Sequence, residues 1–206
     1  VQAGLIYDEI KRLRVIHPEI KVYASIQEIG ASAAYYIAAA ADEIYAHESS
    51  LVGSIGVIAG GFGFSDAMKT HGIERRMYTS GDHKGFLDPY LPENEAETEF
   101  WEDVLSVTHQ QFINKVKAGR GDRLSENEDL FSGYAWAGEQ ALELGLIDSL
   151  GSTASIARDI VGIENTISFD KEPPVFESML GVLGASIGNS ISSSLGLSLN
   201  SHIELR

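Results

Sequence analysis

Ser32 and Lys84 are the residues through which this chain could do covalent chemistry. Ser32 lies in EIGASAAYYIAAAADEIYA, residues 28–46, ahead of a run of small and apolar residues that carries no charge until Asp42. A serine between a strand and a helix start sits beside unpaired backbone N–H groups with partial positive charge. Those groups can stabilise an oxyanion that forms next to the hydroxyl. Ser is also a common N-cap, so this stretch alone leaves both readings open. Gly30-Ala31-Ser32-Ala33-Ala34 comes close to the G-x-S-x-G elbow of α/β-hydrolases. That elbow requires a downstream histidine, for which His109 and His202 are the candidates. His109 falls inside an amphipathic helical pattern and His202 lies close to the end of the sequence. His17, His47, His71 and His83 are single residues in polar contexts, read as surface or turn positions.

A lysine can replace histidine as the base if its amine is neutral, which partial burial favours. Lys84 lies in SGDHKGF, residues 80–86, between glycines in a long polar loop. There is no S-x-x-K, so a Ser32–Lys84 pair has to be made by the fold. No H-E-x-x-H or paired metal-ligand spacing occurs, and no metal or cofactor is expected.

The elements that must position these residues can be read from periodicity. A helix opens the chain, with Leu5, Ile6, Ile10 and Leu13 on one face and Pro18 after its end. Lys11, Arg12 and Arg14 are read as its solvated side. Residues 21–27 alternate as a strand and 28–32 read as a turn. Ala33–Ala41 is expected as a buried helix and 42–46 as a short strand. Residues 49–64 form a glycine-punctuated strand and loop; 65–71 form a short helix closed by Gly72; 73–79 form a strand. After the 80–94 loop, a long helix runs from Asn94 to Lys117, its apolar side carrying Phe100, Val104, Val107, Phe112 and Val116. Residues 118–133 are loop, 135–145 and 153–161 are helices, and 166–169 are a last strand. Helices alternating with strands give an α/β class.

Bulk properties narrow the function. The 206 residues suffice for a domain with a sizeable core. A net charge of −15 argues against a nucleic-acid partner, which needs clustered Lys and Arg. The absence of cysteine removes thiol nucleophiles, thiolate metal sites and disulfides. No apolar run is long enough for a membrane span. The sequence opens directly in a helix, without an initiator Met, and is read as a piece of a longer protein whose membrane anchor lies upstream. From Pro173 the texture becomes Ser/Gly-rich and apolar; this tail is expected to pack on the body or on another subunit, with a loose tail as the alternative.

Three ordered blocks resemble the signal peptide peptidase A family of serine peptidases: GASAAYYIAAAADEIYAHESSLVGSIGVI, YTSGDHKGFLDPY and FSGYAWAGEQALELGLIDSLG. The likeness covers residues 1 to about 162 and fades in the tail. It implies a ClpP/crotonase-like fold of stacked β-β-α units, with residues 1–162 as the peptidase domain and 163–206 as a C-terminal strand and tail. It also implies a Ser–Lys dyad: Ser32 as nucleophile, Lys84 as general base, Ser54 of the GSIGV block orienting the lysine amine, and the N–H of Ala33 at the oxyanion. Ala33 and Ala34 stand where the family has glycines, which narrows the space beside the oxyanion. A second oxyanion donor would come from a turn upstream of Val1, and losing one such donor costs about 100- to 1000-fold in rate.

The resemblance further implies a homo-oligomer, a tetramer or octamer, whose neighbouring subunits can share a site. The expected substrates are signal-peptide remnants or other apolar peptides. The expected setting is the bacterial inner membrane, with the catalytic domain on its outer side. A phage-type head-maturation protease is a variant of this reading. The alternatives are an α/β-hydrolase, a crotonase-like acyl-CoA enzyme, and a non-catalytic assembly protein that keeps the fold.

Overall fold

The computed structural model describes residues 1–163 and 165–169. The chain divides into two units, Val1–Glu164 and Asn165–Arg206, and all the elements below belong to the first. The expected packing of the tail and the position of His202 lie outside the described residues.

The fold is α/β, of the ClpP/crotonase type. Strands β1 (Tyr23–Ile26), β3 (Glu43–Ala46) and β6 (Ser149–Leu150) form one parallel sheet in the order β1-β3-β6. Strands β2 (Ile29–Ala31), β4 (Leu51–Gly53) and β5 (Ala135–Ala137) form a second, in the order β2-β4-β5. There β2 and β4 run parallel and β5 is antiparallel to β4. The chain therefore lays one strand in each sheet, turns into a helix, and repeats. Ser50, 2% exposed, joins the two corners. Its hydroxyl donates to the carbonyl of Gln27 (2.6 Å) and accepts from the N–H of His47 (3.1 Å).

Helix α2 (Ala33–Ala38) follows β2, and Tyr35 at its first turn is fully buried. The Tyr35 hydroxyl donates to the carbonyl of Leu146 at 2.7 Å, and burial pushes its pKa well up. The Ala-rich stretch stops being helical at Ala38, but Ala39, Ala40 and Ala41 remain in the core as a turn. Small side chains are needed there because α4 (Glu95–Arg120) passes very close: a Cβ on Gly119 would lie 1.9 Å from the carbonyl oxygen of Ala39. Asn94 caps α4, accepting from the N–H groups of Ala96 and Glu97.

Several sequence readings are corrected. Residues 29–31 pair as a strand with β4 where a turn was expected, because three residues gave too short a pattern to read. Residues 135–137 are strand β5, and only then does α5 (Gly138–Glu143) begin. No strand forms over 73–79 or 166–169. In the 118–133 stretch, α4 continues to Arg120, and 3-10 turns follow at Gly121–Arg123 and Glu128–Phe131. Helix α6 (Thr153–Ser155) continues as a π-helical turn at Ile156–Val161.

In α1 (Gln2–Ile16) the inward face is not the Leu5/Ile6/Leu13 one. Tyr7 is buried and Ile10 packs beside it, whereas Leu5 is 65% exposed. Arg14, expected in solvent, pairs with Asp42 and donates to the carbonyls of Ala40 and Ala41. Asp42, the first of the two acids that end the alanine run, supplies the anchor.

Candidate active site

Ser32 stands between β2 and α2, with φ 52° and ψ −118°, and its side chain is solvent-exposed. For a residue with a Cβ this backbone is strained by about 1–3 kcal/mol and persists only when neighbours enforce it. Two bonds do so here: its N–H donates to the carbonyl of Gly53 (2.8 Å), and its own carbonyl accepts from Tyr36 (2.9 Å). Tyr35, three residues on, ties the helix start to the core. The hydroxyl is therefore presented outward on a fixed support. The N–H of Ala33 begins a helix, where donors have no intrahelical partner.

Ser54 is brought next to Ser32. Ala31 pairs with Gly53 in the parallel register, so the two serines leave adjacent strand ends. Ser54 also has a positive φ, 50°. Its N–H donates to the carbonyl of Tyr134 (2.8 Å), and its carbonyl accepts from Gly56 (3.0 Å) in a tight turn.

Lys84 lies on the stretch that follows Gly56. No residue from 56 to 111 is buried in the single chain. The segment is held by contacts of its own: Phe64 stacks on Tyr90, Arg75 pairs with Asp88, and Phe86 meets Phe100 and Trp101 edge-on. Lys84 is exposed, and its ammonium makes no hydrogen bond or ion pair with any described residue. Within this one chain the two serines leave neighbouring strand ends, and no hydrogen bond joins the Lys84 side chain to either. The described non-glycine residues with positive φ are Ser32, Ser54 and Leu87, the last three positions beyond Lys84. Each expected site segment thus contains one strained residue.

The histidines take other roles. The Nε2 of His109 is 2.9 Å from the carbonyl of Ile55, so the ring donates there and is not turned to Ser32 as an α/β-hydrolase would need. His83 is exposed, with Nδ1 3.3 Å from a Glu97 carboxylate oxygen. Among the described residues no group of three or more His, Asp or Glu could hold a metal ion. No described helix is long and apolar enough to cross a membrane.

An α/β fold of paired small sheets, with a strained serine at a helix start, is a frame for acyl transfer. The chain belongs to peptidase family S49, whose sequence pattern matches residues 16–160. It is 45% identical over 162 residues to a protein of Brucella abortus named "Na(+)/H(+) antiporter NhaA", a match covering 79% of this chain and 22% of that protein. It is 32% identical to "Putative signal peptide peptidase SppA" of Enterococcus faecium, covering 65% of this chain and 39% of that one. It is also 32% identical to "Serine protease SPPA, chloroplastic" of Arabidopsis thaliana, covering 72% and 22%. The chain thus spans well under half the length of these relatives.

Proposed function

We propose that the chain carries the catalytic serine of a Ser–Lys endopeptidase that cleaves apolar peptide segments. The observation that carries this reading is the backbone of Ser32: a strained, outward-facing serine at a helix start, beside a second strained serine on the neighbouring strand. Strain of this kind is kept where a reactive group must be aimed.

In the proposed reaction the neutral Lys84 amine takes the Ser32 hydroxyl proton as Oγ attacks the scissile carbonyl. The oxyanion forms against the N–H of Ala33. Collapse expels the amine product, which receives the proton from Lys84 and leaves an ester on Ser32. Water then attacks that ester, again giving its proton to Lys84, and the acid product and free Ser32 return. Ser54 holds the amine in line. A groove of about 620 Å³, lined by Ser25, Ile26, Gln27, Ile29, Ala34 and Ile37 among others, flanks the β2–α2 junction and offers a peptide both polar and apolar contacts. The name of the Enterococcus relative agrees with such a substrate. The Brucella name is not carried over, since the match spans 22% of that protein and no described helix has the character of a membrane span.

We further propose that the working form is a homo-oligomer in which Lys84 of one copy reaches Ser32 of the next, at a membrane whose anchor lies outside this chain. The support is the segment 56–111, which buries nothing of its own yet exposes Ile58 (92%), Phe62 (82%) and Tyr78 (91%). Exposed apolar surface of this extent calls for a partner. A fluorophosphonate probe with peptide hydrolysis tests the chemistry. Wild type should label on Ser32 and cleave; Ser32→Ala should do neither; Lys84→Ala should lose both by about 100- to 10,000-fold. Labelling that is indifferent to Lys84 would dismiss the dyad.

A further inference from the structure

We propose that His109 is a positioning residue for this site, acting through Ile55 on Ser54 and on the segment that carries Lys84. The proposal rests on the roles given above to Ser54 and Lys84.

The geometry begins with α4. Phe112, Val116 and Arg120 form its buried stripe, spaced by one turn. His109 is the next rung toward the N-terminus on the same face and is half-buried. Beyond it the helix buries nothing. Its Nε2 reaches the Ile55 carbonyl at 2.9 Å. A carbonyl only accepts, so Nε2 carries the proton. Ile55 is fully buried and is the middle residue of the Ser54–Gly56 turn, which the Gly56 N–H closes onto the Ser54 carbonyl. Ser54 is thus gripped through its N–H by Tyr134, through its carbonyl by Gly56, and through the next peptide by His109.

The same bond does a second thing. Gly56 is where the chain departs toward Lys84, and α4 is the element by which it returns. Ile55 and His109 bracket residues 56–108, none of which is buried. Their bond closes the neck of that segment. Without it, the direction in which the segment leaves the body is set by fewer contacts, and the Lys84 amine inherits the error. A displacement of about 1 Å in a reacting group costs on the order of 100-fold in rate.

The test uses the full chain with His109→Ala, His109→Gln and, as a control on the exposed side of the same helix, Thr108→Ala. Glutamine places an amide N–H where Nε2 stands. Two readouts are taken: fluorophosphonate labelling of Ser32, and hydrogen exchange at the Gly56 amide. We expect His109→Ala to slow labelling by about 10- to 100-fold and to speed exchange at Gly56. His109→Gln should restore most of both, and Thr108→Ala should change neither. Unchanged exchange and labelling in His109→Ala would overturn the proposal. So would a folded His109→Gln as impaired as alanine. If His109→Ala does not fold, the glutamine variant decides alone. If wild type fails to label, the peptidase reading falls, while Gly56 exchange still reports whether His109 holds the turn.

Discussion

The Ser32 N–H donates to the carbonyl of Gly53, the residue before Ser54, so the two serines stand side by side with φ 52° and 50°. Glycine relieves such a backbone and alanine does not. Ser54→Gly should therefore be more stable than Ser54→Ala by about 1 kcal/mol, and the same order should hold at Ser32. Urea unfolding of the four variants checks this. Equal stability within each pair would mean that the observed φ is not enforced. All four should lose activity, since each removes a hydroxyl.

Subunit exchange separates a shared site from a private one. Ser32→Ala and Lys84→Ala proteins, each inactive, should regain partial activity when mixed under exchange conditions. If the proteins demonstrably exchange and remain inactive, Lys84 serves its own chain. A monomer in light scattering of the full-length protein would remove the homo-oligomer.

Gly119→Ala is expected to invert the usual rule for helices. In a helix interior alanine gains about 1 kcal/mol over glycine. Here the added methyl would sit 1.9 Å from the Ala39 carbonyl oxygen, so α4 and the turn after α2 must part. A loss of about 1–3 kcal/mol is expected. Thermal melts decide the sign, and a stabilised variant would refute the close approach.

Asp148 gives the fold an acid-sensitive anchor. Burial pushes its pKa up, but bonds from Arg120 (2.6 Å), the Ile44 N–H (2.7 Å) and Arg123 (2.8 Å) outweigh that and hold it below the ordinary carboxylate value. A carboxylate with a lowered folded pKa stabilises fully above its unfolded pKa, near 4, and this is lost as pH falls through the folded value. Asp148→Asn should therefore be clearly less stable than wild type at neutral pH, with the gap closing below about pH 4. Asp42, lowered by Arg14 against its own burial, titrates with the same sign in both proteins and cancels in the difference. A gap that does not change with pH would disprove this assignment.

The sequence made Ser32 and Lys84 visible because a serine after a strand and a lysine between glycines stand out by residue type. Ser54 came only through the resemblance, for nothing in its local pattern marks it. His109 was read as a helix residue; what it touches, the Ile55 carbonyl, is set by a contact between residues far apart in the chain. The long helix was legible from its period, though Phe100 and Val107 on its expected inner side are 60% and 53% exposed. Phe100 meets Phe86 edge-on rather than the core, so the period placed the helix but not what its N-terminal half packs on. The three-residue strands β2 and β5 were missed because so short a run carries no periodicity. The strand expected at 73–79 does not form, and neither sheet has a partner paired with it.

Ser50, the buried hydroxyl at the two corners, bears on the order in which the molecule assembles. The pairings it joins, Tyr23 with Glu43 and Ile29 with Leu51, close short loops. The third strands, β5 and β6, come from far down the chain. Loop closure over short separations is the faster step. The Ser50 corner is therefore expected to condense first, with Ser32 and Ser54 on neighbouring strand ends before Tyr134 is brought in to accept from the Ser54 N–H.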